Sequence, residues 1–120
     1  MSQNLLPTIE ALQPIQADWL NNVATVYLQC RQYAKAQPLL LLLIKLCPHD
    51  LRPLKQLAYL YYQQGKYEPA LQCCRRYEKN LQGVADGRLY LLRSFCHLQM
   101  GQKESALEYY QRFNALRTRT

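Results

Sequence analysis

The chain has 120 residues, of which 49% are apolar, and a formal net charge of +7. This length suits a single domain, and the apolar fraction is sufficient for a packed core, which excludes global disorder. Its longest aliphatic run, Leu39 to Ile44, is much shorter than the about 20 residues that cross a bilayer, so stable membrane insertion is not expected. The N-terminus lacks the basic segment and apolar core of an export signal, so we expect a cytoplasmic protein.

The first pair of predicted helices begins near the N-terminus. One helix is predicted from about Ile15 to Gln32, because Pro14 suits a first helical turn. The next covers about Ala34 to Leu46 and ends before Pro48, since proline disfavours helical geometry at the preceding residue. Pro38 lies about one turn into this helix and predicts either a late start or a small kink.

A second pair of helices follows. Asp50 is a plausible N-cap for a helix that runs to Gln64. Gly65 ends this helix, and a partner helix is predicted from Glu68 to Leu81.

The third pair comes after a loop that Gly83 and Gly87 bracket. Its helices are predicted over about Arg88 to Met100 and Lys103 to Leu116, with Gly101 between them.

A small residue recurs at one position in each pair. Ala36, Ala70 and Ala106 lie 34 and then 36 positions apart. This is the period of a helix-turn-helix repeat that buries its apolar face by stacking on its neighbours. The predicted divisions are an N-terminal extension (1–14), three repeats (15–48, 49–82 and 83–116) and a tail (117–120).

Neither a metal site nor an enzyme is expected from the residues that carry chemistry. The five cysteines have no C-x-x-C spacing, and we interpret them as small apolar side chains inside helices. The two histidines, His49 and His97, are far from any useful cysteine pair, so no zinc site or other cofactor is predicted. No nucleophile, phosphate-loop or zinc-protease motif occurs, and His97 stands where a packed tyrosine is expected.

The repeated pattern resembles the tetratricopeptide repeat, which places large, small and aromatic residues at fixed positions of two helices. The first repeat reads Leu20, Val23, Ala24, Tyr27, Arg31, Tyr33, Ala36, Leu40 and Pro48, with arginine at the glycine position. The second reads Leu54, Leu57, Ala58, Tyr61, Gly65, Tyr67, Ala70 and Cys74, with Gln82 in place of the closing proline. The third reads Tyr90, Arg93, Ser94, His97, Gly101, Lys103, Ala106 and Tyr110, with polar residues at packing positions, as in an end cap that faces water. The resemblance implies an all-α fold of three tandem repeats that form a short right-handed superhelix.

The resemblance also implies a concave groove lined by the first helix of each repeat. The groove positions of the family, carried over by register, are Asn21, Thr25, Leu28, Arg52, Lys55, Tyr59, Tyr62, Gln63, Arg88, Leu91, Phe95, Leu98 and Gln99. Such a groove has an apolar floor and a basic edge, which suits an apolar peptide segment of a client protein, with Arg52, Lys55 and Arg88 steering an acidic partner. Alternatively, residues 5–12 or a second copy of the chain cover this apolar stripe.

A single domain of three such repeats is similar to the small chaperones of bacterial type III secretion, which include the translocator chaperones and the smaller YscY- and YscG-like proteins. This resemblance rests on size, repeat number and groove character. It implies a cytoplasmic, virulence-associated chaperone that holds a secretion-system protein in a small complex. A generic scaffold or self-associating adaptor is the alternative.

Two further features leave alternatives open. The run from Leu39 to Ile44 is apolar around the whole helix, so it belongs either to the inter-repeat core or to a convex dimer or partner surface. The net charge of +7 would suit nucleic-acid binding. No nucleic-acid partner is expected, however, because the basic residues are spread over several helix faces and form no cluster.

Overall fold

A computed structural model describes residues 13–80 and 86–118 of the chain. Within these ranges the chain forms six α-helices and no strand, which confirms the predicted all-α fold. The helices are α1 (Pro14–Gln29), α2 (Tyr33–Leu46), α3 (Arg52–Gln63), α4 (Tyr67–Lys79), α5 (Gly87–Gln99) and α6 (Lys103–Thr118). None of the helices in the described part of the chain is long and apolar enough to span a membrane.

The residues up to Gln56 form one compact unit and those from Leu57 form another. In the first unit α1 packs against α2. Leu28 of α1 is buried, as are Leu40 and Leu43 of α2. Residues three or four positions apart lie on one face of a helix, so this spacing brings the aliphatic side chains of α2 together.

The second unit has its own core, centred on Ala70, Leu71 and Cys96. Around them pack five half-buried side chains: Tyr61, Tyr62, Tyr67, Leu92 and Met100. In the same unit α4 packs against α5, and α5 packs against α6.

The turn that ends the first helix of each repeat has the same geometry three times. The second residue beyond the helix is left-handed in every case: φ is 61° at Arg31, 76° at Gly65 and 77° at Gly101. The next N–H bonds to a carbonyl five residues back, from Gln32 to Tyr27, Lys66 to Tyr61 and Gln102 to His97, at 2.8 Å each. This is the Schellman motif, which satisfies helix carbonyls that would otherwise lack donors.

Several predicted helix ends differ from the structure. α1 ends at Gln29, before the predicted Gln32, because its ending turn is already formed at Cys30 and Arg31. α2 begins at Tyr33 and contains Pro38, so the expectation of a late start is wrong. Asp50 lies two residues before α3, where Oδ1 accepts a hydrogen bond from the N–H of Arg52 at 3.1 Å.

Three polar packing positions of the third repeat are buried, which corrects the expectation that they face water, whereas Lys103 is exposed. Arg93, Ser94 and His97 are all buried on α5. Nη1 of Arg93 lies 2.7 Å from Oε1 of Glu78, and Oγ of Ser94 donates to the carbonyl oxygen of Ala106 at 2.7 Å. Nδ1 of His97 lies 2.7 Å from Oε1 of Gln102. Each of the three side chains thus has at least one polar partner, which reduces the cost of its burial.

The ring of Tyr109 on α6 completes this polar layer. The guanidinium of Arg93 lies 4.0 Å from the centroid of the ring, and that of Arg112 lies 4.7 Å from it. His97 stacks on the same ring at 5.6 Å. The α5–α6 contact therefore combines cation–π and stacking interactions where the sequence predicted a hydrated cap.

The run from Leu39 to Ile44 divides between core and surface. Leu40 and Leu43 are buried, whereas Leu41 and Leu42 are exposed. The positions 34 residues beyond Leu41 and Leu42 are the exposed Arg75 and Arg76. The core interpretation thus holds for one side of α2, and the other side remains available for a contact.

Three parts of the sequence interpretation lie outside the described residues. They are the segment 5–12 as a cover for the groove, the loop positions Gln82 and Gly83, and the end of the tail.

We expect a glycine at position 31 to make the left-handed turn more stable. Arg31→Gly should raise the free energy of unfolding by about 0.5–1 kcal/mol, because glycine adopts positive φ without the steric cost of a Cβ. Conversely, Gly65→Ala should lower it by about 1 kcal/mol. Among the described residues no atom lies within 4 Å of the Cβ that alanine would add, so only backbone strain changes. Urea denaturation measures both values, and Arg31→Ala, which keeps the strain, should not stabilise.

We expect the same substitution to change the free energy of unfolding by very different amounts at two adjacent leucines of α2. Leu43→Asp should lower the free energy of unfolding by roughly 3 kcal/mol or more, because it places a charge in the core. Leu42→Asp should change it by less than about 1 kcal/mol, since this side chain is exposed. Thermal unfolding compares the two, and light scattering of Leu42→Asp shows whether this side of α2 forms an oligomer. Equal destabilisation would contradict the division of the leucine run.

Candidate functional site

The residues predicted to line a groove divide between the two compact units. In the first unit, Asn21 and Leu28 are buried and offer no surface to a ligand, which corrects the predicted lining. The reason is helix register, because Asn21 and Leu28 lie on the same face of α1 as the buried Ala17 and Ala24.

The side chain of Thr25 forms hydrogen bonds within the first unit. The hydroxyl of Thr25 donates to the carbonyl oxygen of Asn21 at 2.9 Å and accepts a hydrogen bond from Nε2 of Gln56. Lys55 is half-buried.

Arg52 was predicted as a basic edge residue that steers an acidic partner. Its Nη2 lies 2.6 Å from Oδ1 of Asp18 and 2.6 Å from Oδ2 of Asp50. The hydrogen bonds from Arg52 lower the pKa of Asp50 from its ordinary value, so this carboxylate stays ionised. Because two carboxylates balance the guanidinium, Arg52 provides little net attraction for an acidic ligand, which corrects its predicted role.

The second unit carries the accessible apolar residues of the predicted groove. On α3, Tyr59 is exposed and Tyr62 half-buried. On α5, Phe95 is 40% exposed and Leu98 is 54% exposed, and Leu91 is half-buried. We call these five residues the α3–α5 apolar surface. Leu91, Phe95 and Leu98 follow an i, i+4, i+7 spacing, so they form one stripe on α5 that solvent can reach.

Ring contacts join the two helices within this surface. The centroid of Tyr62 lies 6.2 Å from that of Phe95 and 5.7 Å from that of Tyr67. Burial raises the pKa of Tyr62, with further contributions from Tyr67, Cys96 and Tyr59. Its hydroxyl therefore remains protonated at neutral pH and can serve as a hydrogen-bond donor beside the apolar stripe.

The other predicted residues of the second unit, Gln63, Arg88 and Gln99, are exposed. Carboxamide and guanidinium groups at the edge of an apolar surface can bond to the backbone of an extended peptide or to its acidic side chains.

A carboxylate positions α5. Asp86 precedes the helix, and its Oδ1 accepts a hydrogen bond from the N–H of Leu89 at 3.3 Å. Its Oδ2 accepts one from the hydroxyl of Tyr77 on α4 at 3.0 Å. Burial, and then this hydrogen bond, raise the pKa of Tyr77 to about 12. The capping residue thus links the start of α5 to α4 and holds the stripe of α5 in register.

The cysteines occupy three kinds of environment, and Cys47 is half-buried. Cys73, Cys74 and Cys96 are buried, as predicted for small apolar side chains, whereas Cys30 is exposed at the end of α1, which corrects the prediction there. Burial raises the pKa of Cys73 to about 11 and that of Cys96 to about 11. These thiols stay protonated at neutral pH and are therefore poor nucleophiles.

No three His, Cys, Asp or Glu side chains lie close enough to hold a metal ion within residues 13–80 and 86–118. What the second unit does present is an apolar surface with polar edges, which can contact another chain through side-chain burial.

The family comparison agrees with this architecture. The profile of the tetratricopeptide repeat matches residues 56–79 and 87–117. These segments are therefore tetratricopeptide repeats, and the chain has the all-α fold of proteins built from them. A search of curated proteins finds no match.

Solved structures with the same fold include two proteins. PcrH in complex with the chaperone binding region of PopB has a TM-score of 0.83 and 24% identity over 92% of this chain and 87% of its own. PcrH from Pseudomonas aeruginosa has a TM-score of 0.81 and 24% identity over 92% and 83%. MamA AMB-1 has a TM-score of 0.77 and 20% identity over 89% of this chain. This chain spans only 62% of that MamA chain.

The sequence interpretation missed one exposed apolar stripe, on α1. Ile15, Trp19 and Val26 are exposed. Their spacing of four and seven residues places them on one side of the helix, away from Ala24 and Leu28. Periodicity alone would have found this stripe, because α1 carries apolar residues on more than one face.

We expect the cysteines to differ in reactivity. Iodoacetamide near neutral pH should modify Cys30 first, because the buried thiols are both shielded and protonated. Above pH 9 the ordinary thiol of an unfolded chain ionises while Cys73 and Cys96 remain protonated up to about 11. The free energy of unfolding should therefore fall between these two pH values. Peptide mass spectrometry and denaturation at several pH values measure the two effects, and rapid modification of Cys96 in the native protein would contradict them.

Proposed function

We propose that this chain is a non-enzymatic binding protein that holds an apolar segment of a client on the α3–α5 apolar surface. The supporting observation is that apolar side chains of α3 and α5 adjoin. Tyr62 of α3 contacts Phe95 of α5, and both Phe95 and the neighbouring Leu98 remain exposed. Exposed apolar side chains that adjoin across two helices are more typical of an interaction site than of an isolated surface residue.

The chemistry of this surface favours a peptide rather than a small molecule. The tyrosine and phenylalanine side chains provide large contact areas, and the polar residues at the edge of the surface can bond to a peptide backbone. Arg88 is exposed at the start of α5 and would favour an acidic flank of the client. Most of the affinity should come from the few apolar anchors buried on binding, as is usual at protein interfaces.

We further propose that the client is a component of a bacterial type III secretion system, and that binding takes place in the cytoplasm before secretion. PcrH, which shares the fold, has been crystallised with the chaperone binding region of PopB. Covering an apolar client segment would prevent it from associating prematurely. A scaffold function is the second candidate, supported by the fold similarity to MamA.

The binding proposal can be tested with a peptide library. Display of extended peptides should enrich those with two or more large apolar anchors, and the selected peptide should bind in a fluorescence-polarisation titration. Phe95→Glu combined with Leu98→Glu should weaken its binding at least about tenfold, because each change removes an apolar contact.

The matched control is Leu42→Glu, which alters an exposed leucine in the other unit. It should bind the selected peptide like the unaltered protein. Unchanged binding by the double variant, with an unchanged circular-dichroism spectrum, would refute the proposed surface.

A further inference from the structure

The last helix exposes an apolar face. Leu107 is 57% exposed, and Tyr110, three residues further on α6, is also exposed. Phe113 is half-buried, and its ring centroid lies 6.1 Å from that of Tyr110. These side chains are large enough to form the centre of a helix–helix contact.

The preceding repeat shows what normally covers this face. Leu107 lies 36 positions after Leu71, and Tyr110 lies 36 positions after Cys74. Leu71 is only 1% exposed and forms a core cluster with Cys96 of the next helix, α5. The exposed face of α6 is therefore equivalent to the face of α4 on which α5, the first helix of the next repeat, packs.

The first helix has the complementary open face. Val26 lies 34 positions before Leu60, which in turn lies 36 positions before Cys96. Leu60 and Cys96 are both 0% exposed, whereas Val26 is exposed. Trp19, in register with the buried Pro53 and Leu89, is 64% exposed. The exposed stripe on α1 is thus equivalent to the side of α5 that packs on α4, the second helix of the preceding repeat.

Charge does not oppose contact between these faces. The only charged residue of α1 is Asp18, which gives that helix a net charge of −1. α6 has three basic residues (Lys103, Arg112 and Arg117) and two acidic ones (Glu104 and Glu108), and 3 − 2 gives a net charge of +1.

We propose that the occupant of the α6 face is α1 of a second copy of this chain, packed as α5 packs on α4. The observations that support a second copy are the shared register of the repeats and the presence of both open faces on one chain. Because the two contacting faces differ, each copy offers one α6 face and one α1 face, so copies join head-to-tail in open arrays or closed rings. Repetition of the contact would extend the repeat array across molecules.

The sole tryptophan of the chain lies in this contact, which provides a direct probe. Trp19→Glu lacks a functional α1 face and has no tryptophan signal, while Leu107→Glu lacks only the α6 face. Titration of Leu107→Glu with Trp19→Glu should shift the tryptophan emission to shorter wavelength as Trp19 becomes buried. Sedimentation velocity of the mixture should show a one-to-one dimer that grows no further.

Each variant alone should be monomeric, and the unaltered protein should sediment faster as its concentration rises from micromolar to millimolar. The matched control is titration of Leu107→Glu with the double variant Trp19→Glu/Leu107→Glu, which should produce no shift. Both substitutions are at exposed positions, and circular dichroism checks the fold. If Trp19→Glu does not fold, Val26→Glu replaces it, with sedimentation as the readout.

Three results would overturn the proposal. A fixed dimer of Leu107→Glu alone would show a two-fold contact between α1 faces. An unaltered protein that stays monomeric at every concentration would show that no second copy binds. Absence of a shift when the two single variants are mixed would show that something else covers the α6 face.

Discussion

The left-handed turn after the first helix of each repeat is the constraint on which the rest of the structure depends. It reverses the chain within a few residues and fixes the register of the second helix against the first. The same hydrogen-bond pattern recurs at Arg31, Gly65 and Gly101 although the side chain differs. The backbone geometry is therefore conserved across the repeats even where an arginine bears a steric cost of about 1 kcal/mol. Because the register is common, equivalent positions in the three repeats can be compared directly.

Equivalent positions differ in chemistry, and the differences create the surfaces of the molecule. The core of the third repeat replaces aliphatic packing with an ion pair, a histidine and the ring of Tyr109. The α3–α5 apolar surface arises because Tyr59, Phe95 and Leu98 lie on the faces of their helices that no described helix of the second unit covers. The exposed faces of α1 and α6 are each in register with a face that is buried elsewhere in the chain.

The sequence predicted the repeats well because their period and turn residues are local signals. Glycine at positions 65 and 101, and the small residue at 36, 70 and 106, located the helix pairs without tertiary information. Burial was harder to predict. A groove position transferred from the family by sequence register does not show whether the side chain faces solvent or the core in this chain. Asn21 and Leu28 were misplaced for this reason. Arg52 was misjudged because one of its two carboxylate partners, Asp18, lies 34 residues away in sequence.

In the proposed complex, the α3–α5 apolar surface contacts the client directly. This contact can be tested by nuclear magnetic resonance on the complex with a library-selected peptide, using selectively labelled leucine methyl groups and phenylalanine rings. Binding at the proposed surface should give intermolecular nuclear Overhauser effects to Phe95, Leu98 and Leu91. Contacts from the peptide to Leu41 and Leu42 or to Leu107, with none to Phe95 and Leu98, would contradict it.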